Sequence, residues 1–133
     1  MYPAHMPCWL HPGFIACILL LSGAVPACAP PVPSGGFQAP DPASRIYAAV
    51  QVASDYGRTQ VPPDRATLKN LIEMLLSSDP AERLIAIDTL NLVTGVDLGY
   101  DPSAPLVERV AKVQRWKAWL EETPPLTDPG GGA

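Results

Sequence analysis

The sequence predicts an all-α domain of about four helices arranged as two antiparallel pairs. Three observations predict it. Apolar residues recur at helical spacing in four separate stretches. Asp-Pro pairs stand at the head of two of these stretches, where an N-cap and a first-turn proline belong. Only Ser77-Ser78 separates the second stretch from the third, and so short a joint folds two helices back on one another.

The first segment, residues 1–27, contains no Asp, Glu, Lys or Arg, and neither does the rest of the chain up to Pro40. Phe14 to Val25 is a run of about twelve mostly apolar residues, short of the ~20 a bilayer-spanning helix needs but of a length suited to the apolar core of a signal peptide. The positive charge usual at the head of such a segment is missing, whether the chain starts at Met1 or at Met6. Val25-Pro26-Ala27-Cys28 resembles the lipobox of bacterial lipoproteins, an aliphatic residue and a small residue before a cysteine that is acylated on cleavage. The resemblance implies lipidation at Cys28 and a place in the cell envelope, anchored in a membrane by lipid. Ala29 carries no acidic retention signal, so the outer membrane is favoured if the cell has one. Cleavage after Ala27 without lipidation would instead give a secreted or periplasmic protein.

Residues 28–40 form a tether. Pro30, Pro31, Pro33 and Pro40 with Gly35 and Gly36 exclude a helix or a central strand. At ~3 Å per residue this stretch reaches ~30 Å. Residues 123–133, rich in Pro and Gly, are expected to form a disordered tail.

The helical domain is expected over residues 41–122. Asp41-Pro42 opens the first helix, Ile46, Ala49, Val50 and Ala53 form its stripe, and Gly57 is its expected stop. Leu68, Leu71, Ile72, Leu75 and Leu76 form the stripe of the second, with Asp64 or Thr67 as its cap. Asp79-Pro80-Ala81-Glu82 reads as a capping box for the third, in which Glu82 would reach back to the free backbone N–H. Its inner face is Ala86, Ile87, Leu90 and Val93, while Leu84, Ile85 and Leu92 spread apolar surface around it, which marks it as the central helix with neighbours on several sides, and Gly95 ends it. The fourth runs from about Ala104 to Glu122, with Leu106, Val110, Val113, Trp116 and Leu120 inward and Glu108–Lys112 as an i,i+4 pair.

The stretch L-I-E-M-L-L-S-S-D-P-A-E-R-L-I-A-I-D-T-L-N-L-V-T-G, with its paired helices, Asp-Pro turn and Arg83, resembles one HEAT-type repeat over roughly residues 66–95. More loosely, T-G-V-D-L-G-Y-D-P followed by R-V-A-K-V-Q-R-W-K-A-W-L looks like an ending found in small HEAT-like proteins of planctomycete-type bacteria. The resemblance implies a surface for a protein partner, with self-association as another use of the same face.

Composition limits the chemistry. The net charge of −4, with no cluster of Lys and Arg, excludes a nucleic-acid interface. Cys8, Cys17, Cys28, His5 and His11 all precede Ala29, so a processed chain has at most the Cys28 thiol and no imidazole. No enzyme activity, cofactor or metal is expected. Asp97 and Asp101 flank Gly99 and could touch Ca²⁺, but their spacing fits turn formation better. Asp88, Glu121 and Glu122 offer no pair of carboxylates facing one cleft. The glycine clusters neither follow a strand nor open a helix, which excludes a phosphate loop. Tyr100, Trp116 and Trp119 are the candidate binding residues, either a packed aromatic cluster or a platform for glycan. Trp119 is the one expected to stay partly open.

Overall fold

The computed structural model describes residues 33–124. The leader, Cys28 and the tail beyond Pro124 lie outside the described residues. A short 3₁₀ turn (Gly36–Gln38) precedes four helices: α1 (Pro42–Thr59), α2 (Arg65–Met74), α3 (Pro80–Thr94) and α4 (Leu106–Glu122). Among the described residues there is no strand, so the fold is all-α.

The helix starts follow from local side-chain chemistry. Asp41 accepts the Ser44 N–H at 2.8 Å, and Asp64, rather than Thr67, caps α2 by accepting the Thr67 N–H at 2.7 Å. Asp79 accepts from Ala81 at 2.8 Å and Glu82 at 3.2 Å. α4 starts two residues later than the sequence suggests, with Pro105 in the cap position. Ala104 precedes a proline, whose ring disfavours helical backbone at the residue before it.

Two helix ends differ from expectation. α1 runs through Gly57 and stops at Gln60, which takes a left-handed φ of 56°. A helical glycine costs only ~1 kcal/mol, whereas Val61 precedes Pro62-Pro63 and cannot readily continue the helix. The Gln60 side-chain amide and the Thr59 hydroxyl add hydrogen bonds to the carbonyls of Tyr56 and Asp55. α2 tightens after Met74: Leu75, Leu76 and Ser77 each bond the carbonyl three residues back. With this 3₁₀ winding Leu76 is exposed, not inward as the helical stripe suggests, and Met74 is buried. Gly95 ends α3 at φ 68°, as expected.

The core consists of Ala49 from α1, Leu68, Leu71, Ile72, Met74 and Leu75 from α2 and its end, Ala86, Ile87, Leu90 and Val93 from α3, and Val113, Trp116 and Leu120 from α4, with Tyr100 from the last loop. α3 packs between α1 and α2, and α2 packs between α3 and α4. End-to-end hydrogen bonds fix the directions. Arg65 at the start of α2 donates to the Thr123 carbonyl after α4, so these two helices are antiparallel. Arg83 at the start of α3 donates to Pro102 at 2.8 Å and to Ser77 and Ser78 at 2.9 and 3.0 Å. The Tyr100 hydroxyl donates to the Leu75 carbonyl. The loop after α3 therefore carries the chain back to the α2–α3 turn, and α4 sets out again from that end. α2 thus runs antiparallel to both α3 and α4, while α1 packs on α3 with its start beside the start of α3.

Three further expectations are corrected. Leu106 and Val110 are exposed rather than inward, and with Val107, 76% exposed, they form an open apolar edge where α4 runs past the end of the short α2. Leu84 and Leu92 are also open, because α3 has helices on two sides only. Glu108 and Lys112 are not paired. Among the described residues the ion pairs are Arg45–Glu82, Arg58–Asp55 and Lys69–Glu73, while the Lys112 Nζ leans over the loop to within 3.2 Å of where a Cβ on residue 99 would sit.

Candidate functional site

Two clefts flank the exposed ridge of α2, and a buried ion pair closes the inner end of the first. Glu82 does not complete the expected capping box. Its carboxylate turns inward, 1% exposed, and meets the Arg45 guanidinium in a bidentate pair, with Nη2 at 3.0 Å from Oε2 and Nε on Oε1. The Ser77 hydroxyl donates to Oε2 of the same carboxylate and accepts the Asp79 N–H at 3.1 Å. The two halves of the capping box are thus joined through an intervening hydroxyl. Arg45 uses its remaining nitrogen, Nη1, on the carbonyls of Ala39 at 2.7 Å and Pro40 at 3.1 Å. One side chain thereby fastens the backbone at Ala39 and Pro40, together with α1, to the start of α3.

Electrostatics follow from this arrangement. Burial pushes the Glu82 carboxyl up, but hydrogen bonds from Arg45 and Ser77 and the Arg45 charge outweigh it, leaving the group below its ordinary value. The Glu82 hydrogen bond and charge raise Arg45 further against the smaller pull of desolvation.

The first cleft, about 300 Å³, lies between the 3₁₀ turn and α2. Phe37, Met74 and Leu76 supply apolar wall, and Gln38, Asn70 and Glu73 supply polar rim. The Gln38 amide donates to the Asn70 carbonyl oxygen at 3.3 Å across it. The second cleft, about 330 Å³, is a groove between α2 and α4. Ile72 and Leu120 form its floor, while Arg65, Lys69 and Lys117 face Glu73 and Glu121 around it. Glu73 stands on the ridge between the clefts and belongs to both. The fold thus brings two carboxylates, Glu73 and Glu121, to one groove beside three cations, a juxtaposition absent from the sequence pattern.

The sequence-predicted residues fall in different places. Trp116 is fully buried and Tyr100 nearly so, the latter tied by its hydroxyl to α2; burial holds that phenol above its ordinary value despite Arg109 nearby. Trp119 is half-buried and meets Trp116 edge-to-face, with ring centroids 5.5 Å apart at 79°. The two tryptophan rings therefore pack against each other with one open edge, at Trp119, while the returning loop seats Tyr100 in the core at the end of α2. Asp97 accepts the Gly99 N–H at 2.7 Å, and Asp101 accepts both the N–H and hydroxyl of Ser103 at 2.7 and 2.6 Å. Both act as turn formers. Cys28 lies outside the described residues. Among them, no group of three or more His, Cys, Asp or Glu is placed to hold a metal ion, and no helix is long and apolar enough to cross a membrane.

Arg45, Ser77 and the inward role of Glu82 escape sequence reasoning. Arg45 and Glu82 stand 37 positions apart, and each has an adequate local role on a helix surface. The only hint was position: Glu82 precedes Arg83 in the turn that joins the helix pair. No protein-family model, no curated protein and no solved structure matches this chain.

Proposed function

We propose that this protein is a non-enzymatic, lipid-anchored module of the cell envelope, a HEAT-like helical domain that binds another protein through a groove between helices. Cys28 is the proposed anchor, and the stretch between it and the 3₁₀ turn holds the domain off the membrane. The observation that carries the reading is the α2–α4 groove, with an apolar floor of Ile72 and Leu120 inside a rim of five charged side chains of both signs. A floor able to take an apolar side chain inside a rim that fixes orientation by charge is the layout of a protein interface. The exposed Leu106, Val107 and Val110 extend apolar surface along α4. Arg45 supports the tether role, because its bonds to Ala39 and Pro40 give the tether a fixed point of entry into the domain.

The test has two parts. Mass spectrometry of the mature N-terminus should find acylated Cys28; recovery of the chain with Met1 or Met6 in place removes the anchor and the envelope location. Capture from detergent-solubilised envelope membranes should recover one specific protein with the full chain, and Lys117→Glu in the groove should lose it. A strictly monomeric chain that captures nothing, or a partner held equally well by the groove variant, refutes the assignment.

A further inference from the structure

The second cleft is mixed in charge, but the first has a definite bias, and its chemistry selects an occupant. Its charged lining is Arg45, Glu73 and Glu82. The Arg45 charge is matched by Glu82, and four of its five N–H groups are engaged: Nε and one N–H of Nη2 on Glu82, and both of Nη1 on two carbonyls. The cleft wall therefore carries no unmatched positive charge. The carboxylate left available is Glu73, 56% exposed and held only loosely by Lys69 at 4.0 Å. Gln38 donates its amide N–H to Asn70, which leaves its own carbonyl oxygen as an acceptor on the rim. Below the rim, Phe37 offers an aromatic ring, to which cations are attracted. Met74 and Leu76 offer apolar surface of the kind that the methylene stem of a long cationic side chain covers.

We propose that the cleft between the 3₁₀ turn and α2 receives a cationic side chain, lysine or arginine, of the protein partner. The inference rests on the protein-binding reading and names the chemistry that its partner must present. A side chain fits better than a free metabolite. At about 300 Å³ and open to solvent the cleft is at the lower limit for small-molecule sites, so it buries too little of a free ligand, whereas a partner contributes contacts outside it. The net charge of −4 draws a basic surface toward the domain.

The test uses the full chain and three capped tripeptides, acetyl-Gly-X-Gly-amide with X as lysine, norleucine or glutamate. Binding is followed by the NMR signals of the Gln38 and Asn70 side-chain amides. The lysine peptide should shift both signals saturably at millimolar concentration, the norleucine peptide about fivefold more weakly and the glutamate peptide not at all. Glu73→Gln should weaken the lysine peptide by about fivefold, the upper end for a solvent-open ion pair. Asp88→Asn, which removes the same charge from the exposed side of α3, should leave it unchanged. Circular dichroism of both variants checks that the fold is intact. The proposal is overturned if norleucine binds as well as lysine, if Asp88→Asn weakens binding as much as Glu73→Gln, or if neither amide signal moves. Envelope capture separates the two readings: a captured partner together with an inert cleft sinks this inference alone, whereas lysine binding without any captured partner supports the cleft and sinks the module reading.

Discussion

Replacing Arg45 by Met should cost the domain about 3–5 kcal/mol, because it leaves the Glu82 carboxylate buried with only a serine hydroxyl for company. Roughly 80 ordered residues supply a total of only ~4–12 kcal/mol, so the loss is a large part of what holds the fold. The reverse replacement, Glu82→Met, should cost less, about 1–3 kcal/mol. The asymmetry follows from exposure. The Arg45 side chain is 23% exposed and keeps the Ala39 and Pro40 carbonyls, whereas Glu82 has no solvent to retreat to. The double replacement removes both charges and fills the space with apolar atoms, so it should lie within ~2 kcal/mol of wild type. Urea unfolding of the four full-length chains, followed by far-ultraviolet circular dichroism and tryptophan fluorescence, gives the complete cycle. Two independent, additive losses, or an Arg45→Met cost below ~1 kcal/mol, would show that the pair is not closed in solution.

Acid should weaken the same contact. Glu82 is held below its ordinary value of 4.5 in the folded state, so its contribution is present above that pH and lost as pH falls through the folded value. Stability curves of wild type and Glu82→Gln should therefore converge as the pH falls below 4.5; parallel curves from neutral pH downward would refute this. Tyr100 works in the opposite direction. Its phenol is raised mainly by burial, so wild type should lose stability above about pH 10 and Tyr100→Phe should not, while costing about 1 kcal/mol at neutral pH for the lost bond to Leu75. Leu75→Ala, at a fully buried position, should cost ~2–5 kcal/mol, and no change in urea midpoint would mean that the α2–α3 packing is wrong. Gly57→Ala should stabilise by about 0.5–1 kcal/mol, since the residue is helical and an added Cβ meets nothing within 4 Å; a lower melting temperature would show that α1 breaks there.

The candidate site was much less legible than the fold. Trp116 and Tyr100 stood out because large aromatic residues are conspicuous in a sequence, yet burial is their ordinary fate and both are in the core. Residues that line the clefts, such as Gln38, Asn70 and Lys117, are individually unremarkable. A cleft is a property of separate segments meeting, and spacing within one segment carries no information about it. The side chosen by Glu82 is a similar case. A carboxylate three residues after Asp79 has a sound local reading as a cap, and the long-range competitor, Arg45, becomes visible only once α1 lies beside α3.

The sequence alone determined the helices and most of their starts and stops. Those depend on interactions spanning three or four residues: the aspartate caps at Asp41, Asp64 and Asp79, the prolines after Asp41 and Asp79, the left-handed turn at Gly95 and the 3.6-residue apolar period. Only the tertiary structure decided that α4 pairs with α2, that Leu106 and Val110 remain open, and that one arginine joins the backbone at Ala39 and Pro40 to Glu82. Each of those outcomes depends on where the loop after α3 takes the chain. That path is set by the bonds of Arg83 to Pro102 and of Tyr100 to Leu75 across 19 and 25 positions. Contacts of that range are selected by the shape of the packed core, which no local stretch of sequence contains.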